Sequence, residues 1–223
     1  MLKNAGVALS PLIATLRSVG SRYVADSRRA AEALGATQAG LFLRELLDAP
    51  AGVGAVWPSS MRLARDMAAR IDPGGAGLVV ELGAGTGVVT QALLDRGVSA
   101  DRLRVVERSP AFVRHLRQRF PGLVILQGDA ARLSDVLEAD QACRPVDGIV
   151  SSLPLRSLAP DVVSAVLDQC RMLLRPGCPL VQFTYMLRGL PAVGLSEGFL
   201  VRHGPVVWAN LPPARVIELA RAR

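Results

Sequence analysis

Aromatic side chains are scarce in this chain of 223 residues, at 4% of the total. Proteins that bind single-stranded nucleic acid usually stack bases on exposed aromatic rings, so the scarcity argues against that class. Only three cysteines are present, and no two of them have CxxC spacing: Cys143, Cys170 and Cys178. Such a set suits neither a disulfide framework nor a zinc site, so we expect a reduced, cytosolic protein with no metal site.

Long apolar runs without charge are also missing. A membrane-spanning helix needs about 20 such residues. The apolar stretch from Ala5 to Leu16 is interrupted by Ser10 and Pro11, and Arg17 ends it. Because no A-x-A cleavage site follows, we do not expect export. The sequence therefore predicts a protein that is soluble or lies on a membrane surface.

Positive charge is in excess, with 26 Lys and Arg against 19 Asp and Glu and a formal net charge of +7. Such an excess attracts anionic surfaces, either nucleic acid or acidic lipid. In the first thirty residues, the charged side chains are Lys3, Arg17, Arg22, Arg28, Arg29 and Asp26. Apolar residues recur there near helical spacing, from Leu12 to Tyr23. A basic amphipathic helix of this kind either lies in a lipid interface or packs its apolar face on the domain.

The length suits one full-sized core with about fifty residues to spare. We predict an N-terminal helical extension over residues 1–50, with a second helix from Ser27 toward Leu47, and a second domain over residues 51–223. The segment PAGVGAVWPSS, residues 50–60, is too rich in Gly and Pro for a regular element and is predicted to be a loop. Ser59 or Ser60 is then the N-cap of the next helix.

From residue 78 the chain alternates short apolar runs with helical stretches. Runs rich in Val, Ile and Leu are typical of parallel strands that are buried on both faces. The predicted strands are LVVEL (78–82), LRVVE (103–107), LVILQ (123–127), VDGIVSS (146–152) and PLVQFTY (179–185), and the predicted helices cover 87–96, 110–119, 130–139 and 160–174. This alternation predicts a doubly wound, Rossmann-like α/β fold with a mostly parallel sheet.

The C-terminal segment departs from that alternation. VVWANL (206–211) and ARVIEL (214–219) flank two consecutive prolines and are predicted to form a closing β-hairpin.

The first predicted strand ends in an acid followed by alternating glycines. The sequence is Glu81-Leu82-Gly83-Ala84-Gly85-Thr86-Gly87. Gly83 and Gly85 allow a tight turn that brings the backbone close to a ligand, and Gly87 opens the next helix. A dinucleotide fingerprint, GxGxxG, would need glycine where this chain has Val88. GxGxG after an acid resembles instead the class I S-adenosylmethionine methyltransferases. Glu81, if buried, must be paired, either with amides of the glycine loop or with the ammonium group of that cofactor.

Polar residues also end the next two strands, and ligands of open α/β sheets lie at the carboxyl ends of the strands. Glu107 is either a ligand for both ribose hydroxyls or an ordinary exposed acid. Asp129 either accepts the adenine amino group, or is the N-cap of helix 130–139, or does both. The neighbouring Arg108 and Ala130, together with Ala84 of the glycine loop and Ser60 of the preceding segment, complete the predicted cofactor contacts.

The fourth strand ends in Ser151-Ser152-Leu153-Pro154-Leu155. Its backbone and hydroxyl groups would lie beside the transferable methyl, or the segment is a plain turn after a strand. We therefore predict Ser151 as a further cofactor contact, and Ser151 and Leu153 as residues that position the methyl acceptor.

Six segments carry a closer resemblance, over roughly Phe42 to Leu219. They are GAVWPSS (54–60), ELGAGTG (81–87), VERSP (106–110), GDA (128–130), SSLPL (151–155) and WANLPPARV (208–216). With these segments the chain resembles the bacterial phospholipid N-methyltransferases, which methylate phosphatidylethanolamine and are related to the rRNA adenine dimethylases.

This resemblance implies a cytosolic enzyme that docks on the inner leaflet and transfers up to three methyl groups to the lipid amine. Its implied partners are an anionic membrane surface and the phospholipid, and we favour a monomer. In the rRNA dimethylases, an NLPY-type motif holds the target amino group with Asn and stacks the base on Tyr. Here Ser151 or Ser152 and Leu155 replace them, so a nucleic-acid substrate is not expected.

Three alternatives remain open from the sequence. They are an rRNA dimethylase-like enzyme whose charge binds phosphate, a methyltransferase for a small metabolite with residues 1–50 as a lid, and a membrane-binding protein without catalysis. No general base is assigned, because His115 belongs to an exposed basic helix and His203 to the C-terminal segment.

Overall fold

The structure is a computed structural model that describes residues 56–140, 144–155, 158–184, 199–207 and 214–221. The described helices are α1 (Val56–Ala68), α2 (Val88–Asp95), α3 (Pro110–Arg119), α4 (Leu133–Ala139) and α5 (Pro160–Leu173). The strands are β1 (Leu78–Leu82), β2 (Leu103–Glu107), β3 (Val124–Gln127), β4 (Val146–Ser151), β5 (Pro179–Thr184), β6 (Phe199–Val207) and β7 (Ala214–Arg221). A short 3₁₀ turn, Ala130–Arg132, precedes α4.

The seven strands form one sheet in the order β3-β2-β1-β4-β5-β7-β6. The first five pair in parallel, and β7 is antiparallel to both β5 and β6. This confirms the predicted mostly parallel α/β fold and its antiparallel C-terminal hairpin. From β1 the chain proceeds to β2 and β3 on one side, and then returns to place β4 on the other. The crevice at the carboxyl ends of β1 and β4 is therefore the topological switch point, where ligands of such sheets bind.

Both faces of the sheet are covered, as the continuous apolar strands predict. On one face, Val79, Val105, Val150 and Val181 pack with residues of α1, α2 and α3 such as Met67, Leu93 and Leu116. On the other face, Val80, Leu82, Ile149 and Leu180 pack with residues of α4 and α5 such as Leu133 and Leu167. Each such side chain contributes about 1.5–3 kcal/mol when fully buried, so this packing is the main source of stability.

Helix α1 begins earlier than expected. It starts at Val56, so the prediction of a loop over residues 50–60 is wrong for its last five residues, and Ser59 and Ser60 lie inside the helix and are not its N-cap. Pro58 does not prevent this, because the first N–H groups of a helix have no intrahelical partner to lose. The predicted inward side chains, Leu63, Met67 and Ile71, are all buried.

Strand β6 is also different from its prediction. The hairpin arm expected at 206–211 starts at Phe199 and runs to Val207, while residues 208–211 lie outside the described part of the chain. No element was predicted for residues 199–205. An edge strand tolerates proline, and the register with β7 shifts between His203 and Val206, on either side of Pro205.

An ionic network holds the amino ends of β1 and β4. Arg102 is 4% exposed and donates hydrogen bonds to the carbonyls of Gly77 (2.7 Å) and Pro73 (2.6 Å). Asp147 accepts a 2.6 Å bond from the N–H of Gly77, and Arg175 Nη2 lies 2.6 Å from its Oδ1. Because this network lies at the end of the sheet opposite the glycine loop, it serves stability.

Both predicted N-terminal helices and the domain boundary at residue 50 lie outside the described residues. Within the described segments, every helix is too short or too polar to cross a bilayer.

Candidate active site

The loop after β1 is shaped by three glycines with positive φ: 69° at Gly83, 54° at Gly85 and 81° at Gly87. A Cβ atom at Gly83 would lie 2.6 Å from Leu153 Cδ2, and one at Gly87 would lie 2.5 Å from Phe120 Cε2. At Gly85 it would meet nothing within 4 Å. Two glycines therefore permit close packing, whereas Gly85 borders open space at the carboxyl end of β1, where a ligand can approach the backbone.

Glu107 lies beside this loop at the end of β2. Its side chain is held by two backbone donors: Gly85 N–H to Oε2 at 3.0 Å and Ser109 N–H to Oε1 at 2.8 Å. A carboxylate oxygen has a second lone-pair site, so each oxygen can accept a further hydrogen bond. The carboxylate is thus fixed next to the open position at Gly85, as a ligand for ribose hydroxyls requires.

Glu81 in β1 is fully buried. Its Oε2 accepts a 2.7 Å hydrogen bond from Thr90 Oγ1 of α2, and its Oε1 has no partner among the described residues. Burial raises the pKa of Glu81 to about 8; the nearby charge of Glu107 also raises it, and the Thr90 hydrogen bond opposes the rise. An unpaired buried acceptor is costly unless a donor reaches it, so the site suits a positively charged group.

Asp129 follows β3 and is the N-cap of the 3₁₀ turn, since its Oδ1 accepts a 2.9 Å hydrogen bond from Ala131 N–H. The predicted capping role is confirmed. Its Oδ2 lies 4.0 Å from Arg108 Nη1, and both side chains are well exposed, at 47% and 62%. An ion pair with that exposure contributes about 0–1 kcal/mol. Because the Asp129 side chain is 47% exposed, its carboxylate is accessible to a ligand. Ala130 is buried behind it.

The loop after β4 lies against the glycine loop. Ser151 is 2% exposed and its Oγ accepts a 3.4 Å hydrogen bond from Leu153 N–H. The N–H of Ser152 donates to the carbonyl of Leu82 at 2.9 Å, which ties this loop to the end of β1. The structure therefore brings the ends of β1 and β4 together, with Leu153 packed over Gly83.

Three contacts at the site were not predicted. Thr90 is the partner of Glu81, and Arg119 of α3 donates a 2.6 Å hydrogen bond to the carbonyl of Thr86 in the glycine loop. The third is Gln182 of β5, whose Nε2 donates to the carbonyl of Leu153 at 3.0 Å. The available sign for Gln182 was an amide side chain in the middle of the largely apolar run PLVQFTY.

One predicted cofactor contact, Ser60, receives no support from its position, and the two histidines that were not assigned a role stay outside the site. Ser60 lies in α1, and its side chain is outside the described part of the structure. His115 is half-buried on α3 rather than exposed, because Phe112, Val113 and Leu116 turn this helix inward around it. Neither it nor His203 of β6 lies at one of the four strand ends that form the site.

Comparisons with known proteins agree with this geometry. Residues 80–180 match the family described as Methyltransferase domain. The chain is 32% identical over 149 residues to an ornithine lipid N-methyltransferase from Singulisphaera acidiphila, which covers 66% of this chain and 77% of that protein. The chain belongs to the class I S-adenosylmethionine-dependent methyltransferases.

Solved structures show the same fold for this methyltransferase. The N-methyltransferase NodS from Bradyrhizobium japonicum, in complex with S-adenosyl-L-homocysteine, has a TM-score of 0.54 at 17% identity over 73% of this chain and 87% of that one. Magnesium protoporphyrin IX methyltransferase (ChlM) from Synechocystis, with S-adenosyl-L-homocysteine bound, has a TM-score of 0.57 at 15% identity over 76% and 86%. S-adenosylmethionine is the cofactor.

The residues present fit this cofactor. It carries no phosphate, and the loop offers an open backbone at Gly85 rather than a pyrophosphate cradle. Glu107 would accept the ribose hydroxyls, and the unpaired Oε1 of Glu81 suits an ammonium donor. When bound, S-adenosylmethionine supplies an activated methyl group on a sulfonium. The protein has to bind and orient it, exclude water, and present an acceptor atom in line.

Proposed function

We propose that this methyltransferase transfers methyl groups to the primary amine of a membrane lipid, with phosphatidylethanolamine as the acceptor. The observation that carries the proposal is the 32% identity, over 149 residues, to the ornithine lipid N-methyltransferase. Phosphatidylethanolamine and ornithine lipid both present an aliphatic amine at the membrane surface. The SSLPL and GAVWPSS segments favour phosphatidylethanolamine through their resemblance to the phospholipid N-methyltransferases.

The loop after β4 supports an aliphatic acceptor. A site for a nucleic-acid base would use an aromatic ring to stack it, and residues 151–155 contain none. Leu153 and Leu155 are half-buried and pack on the core on the α4 and α5 side of the sheet. An apolar wall of this kind suits an aliphatic chain better than a flat base.

Methyl transfer here requires little acid–base chemistry from the protein. Once the acceptor ammonium has lost its proton to water, the protein has to hold the free nitrogen lone pair about 3 Å from the methyl carbon and in line with it. Bound S-adenosylmethionine would supply that methyl group already activated by its positive sulfur, so the transfer would create no new charge. Ser151 and Leu153 hold the edge of the site where this transfer takes place, and their role is to position the acceptor.

The proposed partner surface is the anionic inner leaflet of the membrane, on which the protein docks peripherally. The net charge of +7 supports this, since each Lys or Arg near an anionic leaflet contributes about 1 kcal/mol. The predicted basic helix in the first thirty residues lies outside the described structure, so its part is tested by deletion. Removing residues 1–26 is expected to reduce sedimentation with anionic vesicles, and equal sedimentation would assign that helix to packing instead.

Transfer of labelled methyl groups from S-adenosylmethionine to defined acceptors tests the function. The vesicles contain phosphatidylethanolamine, ornithine lipid or, as a control without a nitrogen lone pair, phosphatidylcholine; a further reaction contains structured RNA. We expect label in phosphatidylethanolamine. Label in ornithine lipid alone would make ornithine lipid the acceptor and would keep the proposal that a lipid amine is methylated. Label in RNA alone would overturn the lipid proposal.

A further inference from the structure

Gln182 lies in the interior of β5, beside the last residue of β4. It is the parallel register partner of Ser151 and the antiparallel partner of Ile217. Its side chain is 4% exposed. A buried amide in the centre of a sheet has to find several hydrogen-bond partners, and those partners show what it does.

The amide nitrogen of Gln182 has two partners. Nε2 donates hydrogen bonds of 3.0 Å to the carbonyl of Leu153 and 3.0 Å to the carbonyl of Phe183. Because both neighbours are acceptors, the atom between them is the nitrogen, and the orientation of the amide is fixed. Gln182 therefore connects β5 to the loop after β4 through Leu153.

Leu153 is held on both sides of its backbone. Its N–H donates to Ser151 Oγ at 3.4 Å, and its carbonyl accepts both from Gln182 and from Leu155 N–H at 2.9 Å. Its side chain packs where a Cβ of Gly83 would otherwise be. Two neighbouring buried side chains, Ser151 and Gln182, therefore position Leu153, and Leu153 packs against the glycine loop.

The other half of the Gln182 amide is not satisfied. Oε1 is buried and has no hydrogen-bond partner among the described residues. Stability alone would be served as well by an apolar residue of similar volume, because that residue would bury no unpaired acceptor. The amide is therefore better explained by the loop that it holds than by the packing that it provides.

We propose that Gln182 is a positioning residue for methyl transfer, which holds Leu153 and thereby places the methyl acceptor relative to the cofactor. Its hydrogen bonds go to Leu153 and Phe183 rather than to the Gly85–Glu107 pair, so we expect it to affect the rate more than the cofactor affinity. The kinetic part of this inference rests on the proposed lipid-amine function. The structural part, in which Gln182 fixes the conformation of residues 151–155, does not depend on that function.

The test compares Gln182→Met with a matched control, Gln169→Met. Gln169 is a half-buried amide of α5, where it accepts a 2.7 Å hydrogen bond from Ser134 N–H of α4. Methionine keeps the length of the side chain and removes its hydrogen bonds. The rate is measured with phosphatidylethanolamine and ornithine lipid vesicles and divided by the number of S-adenosylmethionine sites titrated, so that loss of folded protein does not count.

For Gln182→Met, kcat per titrated site is expected to fall about 10–100-fold, as for a misplaced reactant, with the Kd for S-adenosylmethionine changed less than about twofold. For Gln169→Met, kcat per site is expected to stay at the wild-type value. Hydrogen exchange of the cofactor-loaded protein, without any lipid, is expected to show faster exchange of the Leu153 and Leu155 amides in Gln182→Met only.

The outcomes separate the two proposals. If the wild-type protein methylates no lipid amine, the proposed function fails, and the exchange experiment alone decides the role of Gln182. Unchanged exchange in residues 151–155 overturns the role of Gln182 whatever the rate. If the wild-type protein is active, faster exchange in Gln182→Met together with an unchanged kcat per site also overturns the role of Gln182.

Discussion

The N–H of Gly85 donates a 3.0 Å hydrogen bond to Oε2 of Glu107, so the ends of β1 and β2 are joined through the open position of the glycine loop. The acid that is predicted to bind the ribose therefore also fixes the backbone against which the cofactor lies. One side chain performs both tasks, and its loss affects both.

Replacing Glu107 with alanine is expected to weaken S-adenosylmethionine binding by about 1–3 kcal/mol, the range for hydrogen bonds to a charged group. Isothermal titration calorimetry measures this directly. The control is Asp95→Ala, an exposed acid that accepts a hydrogen bond from Gln91 on α2. Equal affinities of wild type and Glu107→Ala would remove Glu107 from the cofactor site.

Glu81 makes the cofactor-free protein sensitive to pH. Its folded pKa of about 8 lies above the ordinary value of 4.5, so the folded state keeps a proton that the unfolded state loses. The free energy of unfolding therefore falls as the pH rises from about 4.5 toward 8.

Glu81→Gln removes the contribution of residue 81 to this fall in the free energy of unfolding. The difference in Tm between pH 5.5 and pH 8 is therefore expected to be smaller than in wild type. Thr90→Val removes the hydrogen bond that lowers the pKa of Glu81, so this pKa rises further and the free energy of unfolding should keep falling to higher pH. Thr90→Ser keeps the hydroxyl group and should resemble wild type. Parallel Tm curves for wild type and Glu81→Gln would contradict the prediction.

Alanine at two glycines should separate packing from ligand contact. At Gly85, only the positive φ opposes a Cβ, so Gly85→Ala should cost about 1 kcal/mol of stability and weaken cofactor binding by more than that. At Gly83, the Cβ also meets Leu153 at 2.6 Å, so Gly83→Ala should lower Tm further. Thermal unfolding with and without S-adenosylmethionine measures both the stability and the cofactor binding of each variant. If the cofactor raised the Tm of wild type and of Gly85→Ala equally, the proposed contact between the cofactor and the Gly85 backbone would be refuted.

Asp129 can be tested for its two roles separately. Serine also caps helices, so Asp129→Ser should retain the stability of wild type, whereas Asp129→Ala should lose about 1 kcal/mol. If the carboxylate binds the adenine amino group, both variants should bind S-adenosylmethionine more weakly, by about 1 kcal/mol, the typical worth of a hydrogen bond. Weaker binding in the alanine variant only would leave capping as its role.

Arg102 is expected to matter for stability and not for binding. Arg102→Met leaves the 10%-exposed side chain of Asp147 with one fewer cation and removes two hydrogen bonds, at a cost of about 3 kcal/mol. Arg144→Met, at a side chain that is 37% exposed, is the control and should cost less than about 1 kcal/mol. Urea unfolding measures both; a lower cofactor affinity at constant folded fraction would disprove the assignment.

The sequence predicted what depends on continuous local patterns. The strands of the parallel sheet follow from apolar runs buried on both faces, and Gly83, Glu107 and Asp129 were placed at strand ends because parallel strands end at one edge. The start of α1 was missed because Pro58 belongs to a segment rich in Gly and Pro, although a first helical turn tolerates proline. The start of β6 at Phe199 was also missed; as an edge strand, β6 tolerates Pro205.

The partners of the site side chains could not be predicted. Thr90 reaches Glu81 because α2 packs back on β1, and Gln182 reaches Leu153 because β5 pairs with β4 in one particular register. Neither relationship leaves a periodic signal, because each depends on the alignment of two elements and not on spacing within one.

The strand order has a consequence for biosynthesis. Strand β7 follows β6 in the chain, but it lies between β5 and β6 and pairs with both. While the polypeptide emerges from the ribosome, β5 therefore presents an unpaired edge, and β6 has no neighbour to join until the last described strand is available. An open edge of a mostly parallel sheet is a site for mispairing between chains. A nascent chain stalled before Ala214 should therefore need chaperone protection that the finished chain does not.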